Sequence, residues 1–193
     1  MRCVKFFALS LGVAALCGLL AFAVLGQEKK PDLNSVSETD LKVATIRFER
    51  TRCYGNCPAY TVTIHGDGRV AYSGEDHVKT KGPQEGRIGL EAFKTLVLQF
   101  ATANFLSIDE QQYSHKCSCS RQCTDMPSAI TEITVSDVTH RVNHYYGCGC
   151  APKALFDLER AIDKAVNVEQ WTGDVSKQGP FGTTCWDSRA PSK

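Results

Sequence analysis

The sequence predicts an α+β domain: a two-layer antiparallel sheet of five or six hairpin-connected strands, with two amphipathic helices packed on one face. Three observations predict it. Short runs between residues 44 and 142 alternate apolar with polar residues, an Asp-Gly pair joins two of those runs, and two longer segments carry apolar residues at helical spacing.

The first strand is KVATIRFER, in which Ala44, Ile46 and Phe48 alternate with Thr45, Arg47 and Glu49. A loop, CYGNCP at residues 53–58, leads into a second strand, where Tyr60, Val62 and Ile64 alternate with Thr61, Thr63 and His65. Asp67-Gly68 then precedes Val70 and Tyr72. Asp-Gly between alternating runs signals a hairpin, because a type I′ turn needs positive φ at both central residues. The charges and Pro83 of GEDHVKTKGPQEGRI suit a short edge strand near Gly86–Ile88.

Leu90, Phe93, Leu96, Val97, Phe100 and Ala101 recur as one face of a helix. Ile133 and Val135 open a second hairpin, and Val138, His140 and Val142 continue it past a turn at residues 136–139. Pro152, tolerated in a first helical turn, starts a last helix through Leu155, Leu158, Ile162, Ala165 and Val166. His140 and His144 share the side of their strand that carries Val138 and Val142, so hydrogen-bonded core or edge positions are expected for them. Asp125, Asp67 and Glu132 read as turn or surface residues.

The flanks divide the chain further. Arg2 and Lys5 precede an uncharged apolar run, Phe6–Leu25, that ends at Gly26, which is the pattern of a secretory signal over residues 1–26. A run of about 20 apolar residues is also long enough to remain as an uncleaved membrane anchor. Residues 27–41 read as a polar linker, 42–171 as one domain, and 172–193 as a Gly/Pro/Ser-rich tail. The expected location is extracytoplasmic, periplasmic or secreted.

The formal charge is +1 and becomes −1 once Arg2 and Lys5 are removed with the leader. A surface so near neutrality lacks the positive field that nucleic-acid binding requires, so no nucleic-acid partner is expected. Contact with the membrane is expected only through an uncleaved N-terminal segment. No Ser-His-Asp order, phosphate loop or paired-carboxylate motif stands out, which leans away from an enzyme.

Eight of the ten cysteines lie beyond Gly26: Cys53, Cys57, Cys117, Cys119, Cys123, Cys148, Cys150 and Cys185. An even number in an oxidising compartment points to disulfides. A hairpin turning around Asp137 would set Cys148 beside Met126 and Cys150 beside Thr124, which brings CSCSRQC and CGC to one end of the sheet. Cys148 and Cys150 are expected to diverge and to pair with two of Cys117, Cys119 and Cys123, with Cys185 tying the tail to the remaining one.

Two other chemistries compete. The five thiolates of CSCSRQC and CGC, with His115 and His144 nearby in sequence, could hold zinc, although structural zinc sites usually space their cysteines further apart. Cys53 and Cys57 could form a thiol-disulfide oxidoreductase pair with Arg50 and Arg52 favouring a thiolate. Such pairs, however, usually sit two residues apart at a helix N-terminus.

The stretch RTRCYGNCPAYTVTIHGDGRVAYSG resembles an uncharacterised bacterial family, domain-of-unknown-function family 6438, matching at Cys53, Gly55, Cys57, Pro58, Tyr60, Asp67, Gly68, Tyr72 and Gly74. The resemblance runs on through GRIGLEAFKTLVLQFATANFLSI, TDMPSAITEITV and VNHYYGCGCAPKALFDLERAID. It implies a shared fold and frequent export, with no established activity, cofactor or catalytic residue. Six cysteines, Cys117, Cys119, Cys123, Cys148, Cys150 and Cys185, are additional to the family pattern. They can pair among themselves, leaving Cys53 with Cys57 as a local staple of the loop. The expected protein is an exported, disulfide-stapled, non-catalytic module that needs no cofactor and binds an unidentified protein or envelope partner.

Overall fold

A computed structural model describes residues 30–120 and 122–174. The expectations for the leader at residues 1–26, for Cys185 and for the rest of the tail lie outside the described residues. Eleven elements are described: α1 (Glu38–Val43), β1 (Thr45–Arg50), β2 (Ala59–His65), β3 (Arg69–Asp76), β4 (Gly82–Arg87), α2 (Leu90–Thr102), a 3₁₀ turn (Phe105–Ser107), β5 (Ser128–Val135), β6 (Val138–Tyr145), α3 (Lys153–Ala165) and α4 (Glu169–Thr172).

The six strands form one antiparallel sheet in the order β4-β3-β2-β1-β5-β6. Only β1 and β5 are neighbours without a hairpin, since β2, β3, β4 and α2 lie between them in the chain. The expected α+β two-layer architecture is the observed one. Alternate residues of β1, β2, β3 and β5 are buried, and they carry Ile46, Phe48, Val62, Ile64, Val70, Tyr72 and Ile133 toward the helices. Against that face pack Phe93, Leu96, Val97 and Phe100 of α2 and Leu155, Leu158 and Ile162 of α3. Such helical stripes form because only one side of each helix escapes water when it lies on a sheet.

Four local expectations are corrected. Residues 30–41 are not a free tether. Ser37 caps α1 by accepting the Asp40 N–H at 3.1 Å, and Leu33 and Leu41 lie in the core. Polar composition concealed two apolar anchors too far apart to show periodicity. The domain also runs past residue 171, since Thr172 is fully buried in α4.

The Asp67-Gly68 turn is not of type I′. Asp67 keeps a negative φ, Gly68 alone is positive at 84°, and the Gly68 N–H donates to His65 O at 2.8 Å. That is the three-residue pattern of a turn followed by a left-handed glycine. Two positive φ angles occur instead at Ser136 and Asp137, 49° and 64°, where Val135 pairs with Val138. Finally, β4 begins at Gly82, before the expected Gly86, and uses Pro83 at the sheet edge, where its missing N–H costs no ladder bond.

Candidate functional site

The site begins with the parity of β1. Ile46 and Phe48 face the core, so Arg50, two residues on, must face it too, and Arg50 is only 4% exposed. Its charge is therefore turned into the core rather than out to solvent. A buried guanidinium is tolerable only with partners. Asp163 of α3 accepts from its Nε at 3.1 Å and from Nη2 at 2.7 Å, while Nη1 donates to the Tyr146 hydroxyl.

The partners are themselves linked. Tyr60, which pairs with Arg50 across β1 and β2, donates its hydroxyl to Asp163 Oδ1 at 2.5 Å. The Tyr146 hydroxyl donates to Glu159 Oε2 at 2.8 Å, and Glu159 Oε1 accepts from His144 Nδ1 at 2.7 Å. Glu159 and Asp163 stand one turn apart on α3, next to the Leu155–Ile162 stripe, so both reach the sheet from one helix face.

Electrostatics follow from burial. Burial opposes the charge on Arg50, but the facing Asp163, with Tyr146, Tyr60 and Glu159, more than offsets this and holds it firmly protonated. For Tyr60 and Tyr146 burial is the main cause of a strong upward displacement, which keeps both hydroxyls neutral and able to donate. Burial also pushes Asp163 up, against the opposing pull of Arg50 and of the Tyr60 hydrogen bond.

This knot anchors a loop. Arg50 ends β1 three residues before Cys53, and Tyr60 lies in β2 three residues after Cys57, so Asp163 clamps both stems of the CYGNCP turn. Within the loop Cys53 and Cys57 are at disulfide distance, with Cα atoms 5.7 Å apart. The Tyr54 N–H donates to Asp125 O at 3.1 Å, the Thr51 N–H to Ser128 O at 2.9 Å, and the Ser128 N–H to Thr51 Oγ1 at 2.8 Å. Cys57 is buried and Tyr54, at the tip, is 90% exposed. Pro58 is buried beneath the loop; Asp67 and Gly68 belong to the far end of the hairpin and Gly55, φ 152°, is part of the loop itself.

The second cysteine group lies at the same end of the sheet. Cys117 and Cys148 are at disulfide distance, as are Cys119 and Cys150, with Cα separations of 6.3 and 5.7 Å. Cys123 is also disulfide-bonded. The expected neighbours were different: Cys148 faces Gln122, not Met126, because residues 123–127 bulge out of the ladder through the left-handed Asp125. The Cys123 N–H still reaches Gly147 O at 2.9 Å. Only glycine fits at position 147, since a Cβ there would sit 2.1 Å from Cys123 O.

Cys148 and Cys150 do not diverge. Their sulfurs are 3.9 Å apart, because the chain turns at Gly149–Cys150 and brings both side chains to one side. The histidines stand elsewhere. His115 stacks on Tyr145 with centroids 3.7 Å apart, His140 Nε2 meets Ile108 O at 2.8 Å, and His144 is held by Glu159. Core or edge roles for His140 and His144 are therefore what the fold provides.

Of this site, the motif loop was visible in the sequence and the ionic knot was not singled out. A signal existed for Arg50, since extending the Ile46-Phe48 parity places it inside. Glu159 likewise interrupts an apolar helical stripe between Leu155 and Ile162. Nothing local marks Tyr60, Tyr146 and Asp163 as partners.

Residues 44–166 match the family described as domain of unknown function DUF6438, and the chain belongs to it. The matched span runs from just before β1 to the end of α3, so it contains the loop, the knot and five of the six cysteines outside the family pattern. A comparison with curated proteins finds no match.

Proposed function

We propose that the chain is exported and acts in the cell envelope as a disulfide-stapled, non-catalytic module that binds a protein partner through the loop at residues 53–57. The observation that carries this reading is Tyr54, 90% exposed on a loop closed both by the Cys53–Cys57 pair and by the Arg50–Asp163–Tyr60 clamp. Binding surfaces lose affinity to the cost of ordering loops, and here that cost is met during folding. Tyrosine is a favoured anchor because it offers a large contact area with few rotatable bonds.

Export is supported by the apolar leader pattern at Phe6–Leu25 and by the number of paired cysteines. Among the described residues no helix is long and apolar enough to cross a membrane. Membrane contact is proposed only through the N-terminal apolar segment, if it is retained. The binding role needs neither a cofactor nor nucleic acid.

A photo-reactive residue placed at position 54 of the full chain tests this in living cells. The expected result is a protein adduct at position 54 that is absent from the same probe at Glu91, which is exposed on α2. The purified pair should survive thiol alkylation without reductant and separate after reduction. Protein recovered from cytosol with its leader intact and its thiols reduced, or adduct formation that ignores the probe position, would overturn the proposal.

A further inference from the structure

The four sulfurs of Cys117, Cys119, Cys148 and Cys150 form a tighter group than two independent bridges require. Besides the bonded pairs, Cys119 and Cys148 sulfurs are 3.0 Å apart, and Cys148 and Cys150 sulfurs 3.9 Å. The ligand atoms of Cys117, Cys119 and Cys148 all lie within 4.8 Å of one another. A tetrahedral zinc tetrathiolate, with Zn–S bonds of about 2.3 Å, has S···S edges of about 3.8 Å. Three of the four sulfurs are thus already close enough to share one ion, and Cys150, 3.9 Å from Cys148, is placed to swing in as the fourth ligand.

The backbone is suited to keep them there when the bridges open. Each C-x-C arm brings its own two sulfurs together, within 4.8 Å for Cys117 and Cys119 and at 3.9 Å for Cys148 and Cys150. Hydrogen bonds that do not involve sulfur hold the arms: Cys123 N–H to Gly147 O joins the two segments beside the Gln122–Cys148 bridge, while Cys148 N–H to Tyr145 O and the Gln122 side chain to Cys117 O brace each segment internally. A groove lined by Tyr113, Lys116, Cys117, Ser118 and Cys150 opens on the group, which gives a reductant and an ion a path to it. Cys150, which lines it, is exposed, while Cys148 is fully buried behind its bonded partner Cys117, another lining residue.

We propose that this cluster is a redox-gated metal site: oxidised, it is two bridges, and reduced, it holds one Zn²⁺ on Cys117, Cys119, Cys148 and Cys150. The conversion balances as follows. Two molecules of a dithiol reductant deliver four electrons and four protons to the two bridges, and each dithiol leaves as its own disulfide. Zn²⁺ then displaces the four thiol protons, leaving a site of net charge −2 beside Lys116. Thiolate ligands favour zinc over hard cations such as magnesium and calcium, and proton release makes binding tighter as pH rises. Cys53 and Cys57 form no such group. This site is independent of the role of the 53–57 loop.

The test uses the full chain, oxidised and after anaerobic reduction by a phosphine that is then removed. Titration with Co²⁺ and Zn²⁺ should show no binding by the oxidised chain. The reduced chain should bind one ion, give the absorption of tetrahedral cobalt thiolate, and have that cobalt displaced by zinc. Zinc should protect residues 117, 119, 148 and 150 from alkylation while Cys53 and Cys57 remain reactive, as mapped by peptide mass spectrometry.

Cys119→Ser and Cys150→Ser should each weaken binding by more than the roughly 10- to 100-fold that loss of a group supporting a metal ligand costs. Cys53→Ser/Cys57→Ser should bind unchanged. Should the metal-free reduced chain unfold, reduction in the presence of Zn²⁺ should yield a folded, zinc-loaded protein. Failure to bind in both protocols, or binding that survives Cys150→Ser and protects no particular cysteines, would overturn the site.

Discussion

Two neighbouring regions of this domain are held together by opposite means. Under the loop at residues 53–57, the ionic knot joins β1, β2 and α3 through hydrogen bonds among groups as far as 113 residues apart in sequence, as between Arg50 and Asp163. At the end of the β5–β6 hairpin, CSCSRQC and CGC are joined by sulfur, with Cys117 and Cys148 separated by 31 residues. The first depends on burial and protonation and is indifferent to reductant. The second depends on redox conditions. Two stress responses can therefore be expected from one small domain, and each can be perturbed without the other.

The largest effect should come from the knot. Arg50→Met removes the cation that Asp163 faces inside the fold, and breaking such a buried pair costs about 3–5 kcal/mol. Denaturant unfolding under oxidising conditions measures it, and a loss below about 1 kcal/mol would mean that the knot is dispensable. Alkali should reach the same region. Tyr60 and Tyr146 are held strongly above their ordinary pKa and Tyr72 is pushed up to about 12 by burial, so the fold keeps all three protonated where the unfolded chain would ionise. Their contribution is complete below the ordinary tyrosine pKa of about 10 and is lost as pH rises toward the folded values. Stability should fall above that pH, and tyrosinate absorbance should rise in step with unfolding.

The sulfur region should answer next. Removing one long bridge as Cys117→Ser/Cys148→Ser should cost about 3.5–4 kcal/mol in the loop-closure model, and reductant should then have a smaller further effect than on the parent chain. Cys53→Ser/Cys57→Ser closes a much shorter loop and should cost about 2 kcal/mol. A larger loss there would move the short staple from shaping the loop to holding the domain. Smallest of all, Tyr54→Ala should change stability by no more than about 0.5 kcal/mol, because the side chain is exposed, while abolishing the proposed adduct.

Alternation between residues 44 and 72 marked the central strands because one face of the sheet is buried and a period of two is the only pattern that can bury it. The two amphipathic helices were equally legible. Turn geometry was less so: Asp67-Gly68 reads as a type I′ signal, yet the strand register there leaves room for a three-residue turn and only Gly68 adopts positive φ. The bulge at residues 123–127 escaped for a related reason. A hairpin rule carries the pairing outward without knowing where the ladder breaks.

Of the candidate site, the loop with Cys53, Gly55, Cys57 and Pro58 stood out because its residue types are unusual together. Arg50, Glu159 and Asp163 did not, since charged residues usually belong to water and only the packing of α3 on the sheet decides otherwise. The sequence by itself determined the α+β class, the central hairpin, the two helical faces and the concentration of cysteines at one end, all of which follow from local periodicity and composition. Only the tertiary structure decided that Asp163 meets Arg50 and Tyr60 and that four sulfurs converge. Those contacts join segments remote along the chain, and their energies depend on burial that exists only once the sheet and α3 have closed over them.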